Sequence, residues 1–170
     1  MDSAHIQAKD IEFLAKRARK KGEVFSKDPL YTETDVIKSM AQFGTVSYQR
    51  PFLVADEIQA VFYDAGHVLG SALTVIEINH DGQNLKIGFS GDLGRKNLPI
   101  LRDPEIIPEV DYLVMESTYG DRLHDPIELA MTQLAEIINK TVERGGRIII
   151  PAFALERTQE LVYYLHLLTD

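Results

Sequence analysis

Cysteine is missing from all 170 residues. Disulfides and thiolate metal sites are thereby excluded, and any transition metal must be held by His, Asp or Glu. No uninterrupted apolar run reaches the roughly 18 residues that a membrane span requires. The opening Met1-Asp2-Ser3-Ala4-His5 also lacks the charged-then-apolar layout of an export signal. The expectation is a soluble, unexported protein with no membrane partner, cytoplasmic or, in a eukaryote, nuclear. Positive charge is scarce: 18 Lys and Arg face 26 Asp and Glu, for a net charge of −8. The molecule as a whole repels polyanions, so a nucleic-acid partner needs a local basic groove. The one dense basic run, Lys16, Arg17, Arg19, Lys20 and Lys21, falls where a helix is expected to end, and cations there complement the helix dipole.

What is present is globular. Hydrophobic residues make up 45% and charged residues 26%, enough for a sizeable core. Ile11, Leu14, Ala15 and Ala18 recur at helical spacing ahead of Gly22, predicting a helix over about 7–21. Thr32 can cap a second helix whose apolar face is Val36, Ile37, Met40 and Phe43, with Gly44 as its stop. The period then changes. Segments 46–48, 58–63, 72–79, 85–90 and 112–116 are short and β-prone, and Asp81-Gly82 supplies a hairpin turn between the third and fourth. Asp125-Pro126-x-Glu128 has the form of an N-cap, first-turn proline and capping-box acid ahead of a helix that ends at Gly145-Gly146. Arg147 to Pro151 suits a buried strand, and Leu155 to Leu168 is again helical, with Leu161, Leu165 and Leu168 inward. The fold class expected is α/β with α+β layers: a strand-rich section to about residue 120, then the beginning of a parallel α/β layer over 121–170. That second layer has no obvious partner strand for 147–151, so an incomplete domain is expected.

Four segments could carry chemistry. Asp64-Ala65-Gly66-His67-Val68-Leu69-Gly70-Ser71-Ala72 sets His67 on a glycine-flanked loop between strands, where small neighbours allow close approach to the imidazole. A lone His also serves as an ordinary local hydrogen-bonding group. Ser90-Gly91-Asp92-Leu93-Gly94 places Asp92 at a strand end between glycines, either as a turn carboxylate bonding its own backbone or as a ligand projected into a cleft. Val114-Met115-Glu116-Ser117-Thr118 repeats that arrangement with Glu116. Pro151 to Thr158 leads a buried run into a helix whose first-turn amides, with Arg157, could meet an anion; the alternative is a plain connection with a surface Arg. Three polar strand ends in succession could converge at one sheet edge.

Together with Asp2-Ser3-Ala4-His5-Ile6-Gln7, Glu116 through Arg122, and Pro151-Ala152-Phe153-Ala154 through Arg157-Thr158-Gln159, these segments resemble the β-CASP branch of the metallo-β-lactamase-fold RNA-processing nucleases. The resemblance runs almost the full length of the chain. It implies the later part of a metallo-β-lactamase αββα sandwich over 1–120, continuing into the start of a β-CASP domain over 121–170. It further implies hydrolysis of RNA phosphodiesters with two metal ions, usually zinc. By position, His67 looks like a metal ligand, Asp92 like the carboxylate bridging both metals, and Glu116 like the acid that supports a catalytic His contributed from further along. Ser117, Thr118 and Arg157 fall in segments that line the family's cleft and are candidate substrate contacts.

The sequence departs from the family in lacking its H-x-H-x-D-H ligand motif and its later β-CASP His motifs. His5, His80, His124 and His166 do not have the spacing to replace them. A catalytic zinc uses about three protein ligands plus water, so this chain alone is expected to bind zinc weakly or partially and to be inactive by itself. RNA is the expected substrate, and a homo-oligomer or a complementing chain the expected protein partner. Two other readings stand beside it: a non-catalytic RNA- or protein-interaction module, and a small-molecule metallo-β-lactamase-fold hydrolase. The Glu116–Arg122 and Pro151–Thr158 segments weigh against the latter.

Overall fold

The computed structural model describes residues 1–123, 126–153 and 155–169, with the side chains of residues 127 and 128 left aside. The chain divides into two compact units, residues 1–45 and residues 46–170.

The first unit is a helical pair. Helix α1 (Asp2–Lys21) closes on Gly22, whose positive φ of 72° lets its amide turn back to the carbonyls of Ala18 and Arg19. It starts five residues before the expected position, and Arg19, Lys20 and Lys21 occupy its last turn. Helix α2 (Glu33–Met40) is capped by Thr32 and Asp35, each side chain bonding the other's backbone amide. It ends at Met40 rather than Gly44, leaving Phe43 outside the helix and 75% exposed. Gln7, at one side of α1, accepts the amide of Leu30 (3.1 Å), and Tyr31 donates to Ser3 (2.7 Å), tying the connection to the helix.

The second unit is built on one five-stranded sheet in sequence order: β1 (Phe52–Ala55), β2 (Ile58–Asp64), β3 (Ala72–His80), β4 (Gln83–Phe89) and β5 (Tyr112–Val114). The first four strands form an antiparallel meander, and β5 joins parallel to β4. At the β3–β4 turn Asp81 and Gly82 have φ of 49° and 75°, the left-handed pair that a two-residue hairpin needs. Ala60 on β2 and Leu73 and Val75 on β3 are buried, and the Phe52 and Phe62 rings pack at 5.1 Å. The crossover from β4 to β5 crosses the sheet at Gly88, where an added Cβ would lie 3.0 Å from Ile107 and 3.2 Å from Leu113. Helices α3 (Ile127–Glu143) and α4 (Arg157–Leu167) follow.

The architecture is therefore mixed α/β, as expected, with two corrections among the strands. Residues 46–48 are not a strand; the first strand is Phe52–Ala55, because a two-residue turn at 56–57 lets it pair directly with β2. Residues 147–151 pair with nothing among the described residues and form no strand, and Ile149 is 91% exposed. A strand exists only through the backbone bonds of a neighbour. At the ends, β5 stops at Val114 rather than 116 and α4 begins at Arg157 rather than 155. The expected capping box at Asp125 and Glu128 lies outside the described residues, as does His124. The expected division near residue 120 falls inside the second unit. Among the described residues, no helix is long and apolar enough to cross a membrane.

Candidate active site at the strand ends

The site lies within the second unit, at the edge where β2 and β4 end and the chain leaves β5. The β2–β3 loop carrying His67 is held by its own polar groups. The Asp64 carboxylate accepts the Gly66 amide (2.9 Å), and the Ser71 hydroxyl accepts the amides of His67 (3.1 Å) and Val68 (3.2 Å). Tyr48 donates to the Ser71 carbonyl (2.8 Å) from outside the loop. Glu105 clamps its base, accepting the Asp64 amide (2.8 Å) and a proton of Gln49 (2.5 Å).

Asp92 sits on a second loop pressed against the first. The Gly94 amide donates to the Ala65 carbonyl (2.8 Å), and a Cβ at Gly94 would fall 1.8 Å from the Gly66 carbonyl oxygen. Only hydrogen fits there, so the two backbones approach as no other residue would allow. The approach puts His67 Nε2 3.9 Å from Asp92 Oδ2, with the two side chains 39% and 81% exposed.

Glu116 completes the edge. Ser90, buried at the end of β4, donates its amide to Val114 (2.9 Å), and its hydroxyl accepts the Glu116 amide (3.0 Å). The Glu116 carboxylate then accepts the Leu93 amide (2.5 Å) and the Thr118 hydroxyl (2.7 Å). The Leu93 bond first, then the Thr118 bond, holds this carboxyl below the usual glutamate range, with the His67 imidazole adding a smaller attraction. Glu116 is thus an anion bonded to the residue that follows Asp92.

A cavity of about 780 Å³ opens on these groups, lined by His67, Asp92, Glu116, Thr118 and Arg157 among others. Ser117 does not line it; its carbonyl instead accepts the Gly120 amide (3.0 Å) in the turn that follows. Thr118 does, but its one hydroxyl hydrogen is engaged by Glu116. Sequence reasoning missed Ser90 and Ser71, whose hydroxyls align the loops, and Arg95, Tyr119 and Tyr164, which line the cavity. For Arg95 a signal existed, since it directly follows Gly94. Tyr164 had none beyond its place in a helix. Within the first unit His5 pairs with Glu33, and in the second His80, at the far end of β3, pairs with Glu57 (2.8 Å).

The donor set can be tested against a metal. On a tetrahedral zinc two ligand atoms, each at about 2.1 Å, stand about 3.4 Å apart, and the His67–Asp92 separation of 3.9 Å is wider than that spacing. Among the described residues, however, no group of three His, Asp or Glu side chains is placed to hold an ion. By chemistry and spacing the two side chains supply at most part of a ligand set.

The strand ends of this sheet thus gather an imidazole and two carboxylates beside an open cavity. No family profile matches the chain. A ribonuclease of Thermus thermophilus, TTHA0252, is 34% identical over 139 residues, covering 82% of this chain and 31% of the relative. The Drosophila melanogaster cleavage and polyadenylation specificity factor 73 is 38% identical over 137 residues, 80% of this chain and 19% of the relative. An RNase J-like protein of Methanocaldococcus jannaschii is 37% identical over 142 residues, 80% of this chain and 32% of the relative. These homologues are β-CASP metallo-β-lactamase-fold RNA nucleases; the chain is similar to them over most of its own length and spans about a third or less of theirs.

Proposed function

We propose that this chain carries part of the active site of a metal-dependent ribonuclease that cleaves RNA phosphodiester bonds in RNA processing. The observation that supports the reading is the 3.9 Å approach of His67 to Asp92 at a strand-end edge shared with Glu116, in a chain 34% identical to a named ribonuclease. His67 and Asp92 are assigned as metal ligands, with zinc as the metal and Asp92 as the bridge in a two-ion site. Bound metal supplies Lewis acidity to the phosphoryl oxygens and to an attacking water. Glu116 acts as a positioning residue: its bond to the Leu93 amide fixes the loop that aims Asp92. Of the three candidate substrate contacts, Arg157 is the one the reading rests on; Thr118 lines the cavity with its hydroxyl hydrogen held by Glu116, and Ser117 does not line it.

Residues 1–120 are read as metallo-β-lactamase-like and 121–170 as the opening of a β-CASP domain. The remaining ligands come from other sequence, either in the same polypeptide or in a complementing chain, and the protein works inside the cell. The test is a chimera in which residues 1–170 replace the matching segment of the Thermus thermophilus ribonuclease. It is expected to cleave labelled RNA with zinc or manganese. Cleavage unchanged by Asp92→Ala would overturn the assignment.

A further inference from the structure

Cationic groups reach the 780 Å³ cavity from two separate parts of the second unit. Arg95 comes from the loop that follows Asp92, and Arg157 from the first turn of α4. Their situations differ. Arg157 Nη1 donates to Glu160 Oε2 at 2.5 Å, and while the Arg157 side chain is 65% exposed, that of Glu160 is only 4% exposed. A buried carboxylate one turn along the helix therefore anchors one arm of a solvent-facing guanidinium. The anchor is set by the backbone as well: Glu156 has φ 67° and ψ −68°, and the Arg157 amide turns back to the Leu155 carbonyl (2.9 Å). This γ-turn is a costly conformation for a residue with a side chain. Arg95 forms no ion pair among the described residues. Tyr164 lines the same cavity; burial, then the Glu160 charge, raises its phenol, while Arg95 and Arg157 oppose that rise. The hydroxyl is thus a proton donor at ordinary pH. A second cavity of about 550 Å³ also includes His67 and Arg157, so these two residues stand where both openings meet.

A guanidinium with one arm anchored and the rest exposed, lining one cavity with a phenol donor and a second guanidinium that forms no ion pair among the described residues, offers the N–H and O–H donors that phosphodiester oxygens accept. We propose that Arg95 and Arg157 form an anion subsite for a backbone phosphate of single-stranded RNA next to the scissile one, with Glu160 as the residue that positions Arg157. The subsite rests on the nuclease reading above, and it adds Arg95 and Glu160 to that reading.

The test measures binding of a fluorescent single-stranded oligoribonucleotide to the full 170-residue chain across a salt series. Each phosphate contact to single-stranded nucleic acid contributes about 0.7 to the slope of log affinity against log salt. Arg95→Ala, which breaks no ion pair among the described residues, is expected to lower the slope by about 0.7 and weaken binding several-fold. Arg157→Ala leaves Glu160 without its partner and risks misfolding, so Arg157→Lys is the informative change there. It keeps the charge and the slope but loses the fork, and is expected to weaken binding by about threefold to tenfold. A methylphosphonate oligomer of the same sequence, with a neutral backbone, is expected to bind wild type and Arg95→Ala equally. If wild type binds the RNA with a measurable slope and Arg95→Ala leaves that slope unchanged, the subsite is wrong while the nuclease reading stands. If wild type binds the charged and neutral oligomers alike, both fall.

Discussion

The β2–β4 meander and the stretch from β5 to the end of α4 are equally apolar in sequence but unequal in burial. In the meander, β2, β3 and β4 each have neighbours on both sides, and Ala60, Leu73 and Val75 are at most 5% exposed. Beyond it, Tyr112, Leu113 and Val114 of β5 are more than half exposed, and Ile148, Ile149 and Ile150 lie in an unpaired run with Ile149 nearly bare. The difference teaches that β-propensity marks where a strand can form, while pairing and cover decide whether it contributes. The edge that carries the candidate site hangs on the first region: the loops of His67 and Asp92 spring from β2 and β4, and Glu116 is tied to them through Ser90 and Leu93.

The largest expected effect tests whether the well-packed region holds the chemistry. In the chimera, Asp92→Ala should reduce RNA cleavage by about a thousandfold or more, roughly 4 kcal/mol in the barrier. With its side chain 81% exposed, the same change should leave the melting temperature nearly unaltered. Gly94→Ala should come next, because its Cβ would overlap the Gly66 carbonyl. A loss of about 3 kcal/mol in urea denaturation is expected, together with weaker zinc binding as the loops part.

A paired substitution sharpens the contrast directly. Leu73→Ala, at 5% exposure, should cost about 2–5 kcal/mol, whereas Ile149→Ala, at 91%, should stay within about 0.5 kcal/mol. Equal costs would mean that residues 147–151 are packed in solution. The smallest effect concerns Glu116. Its carboxyl sits lower when folded than when unfolded, so its contribution is complete above the unfolded value near pH 4.3 and is lost as pH falls through the folded value. Glu116→Gln should flatten the acid limb of stability measured against pH, and an unchanged limb would remove the Leu93 bond from the account.

Much of the framework was legible in the residues. Asp81-Gly82 announced its hairpin through the left-handed backbone both residues tolerate, Thr32 announced a helix start, and the short β-prone runs in 58–90 marked three strands within a residue or two. The segments around His67, Asp92 and Glu116 were recognisable because each ends a β-prone run in small or polar residues. Strand 46–48 was misplaced because its apolar character reflects local docking: Tyr48 bonds the Ser71 carbonyl rather than a ladder. The run 147–151 reads as a strand, yet no sequence pattern carries the information that a neighbour is in place.

Residue order alone settled the available chemistry: no thiols, few cations, and an imidazole and two carboxylates each stationed where a strand gives out. Folding settled the distances. The 3.9 Å between His67 and Asp92 depends on two loops meeting backbone to backbone at Gly94 and Gly66, 28 residues apart in the chain. Contacts of that kind depend on how the sheet brings its edges together, and so does the arrival of Arg95 in the cavity that Arg157 lines; the Arg157–Glu160 bond is local to α4, and only the burial of Glu160 needs the rest of the fold.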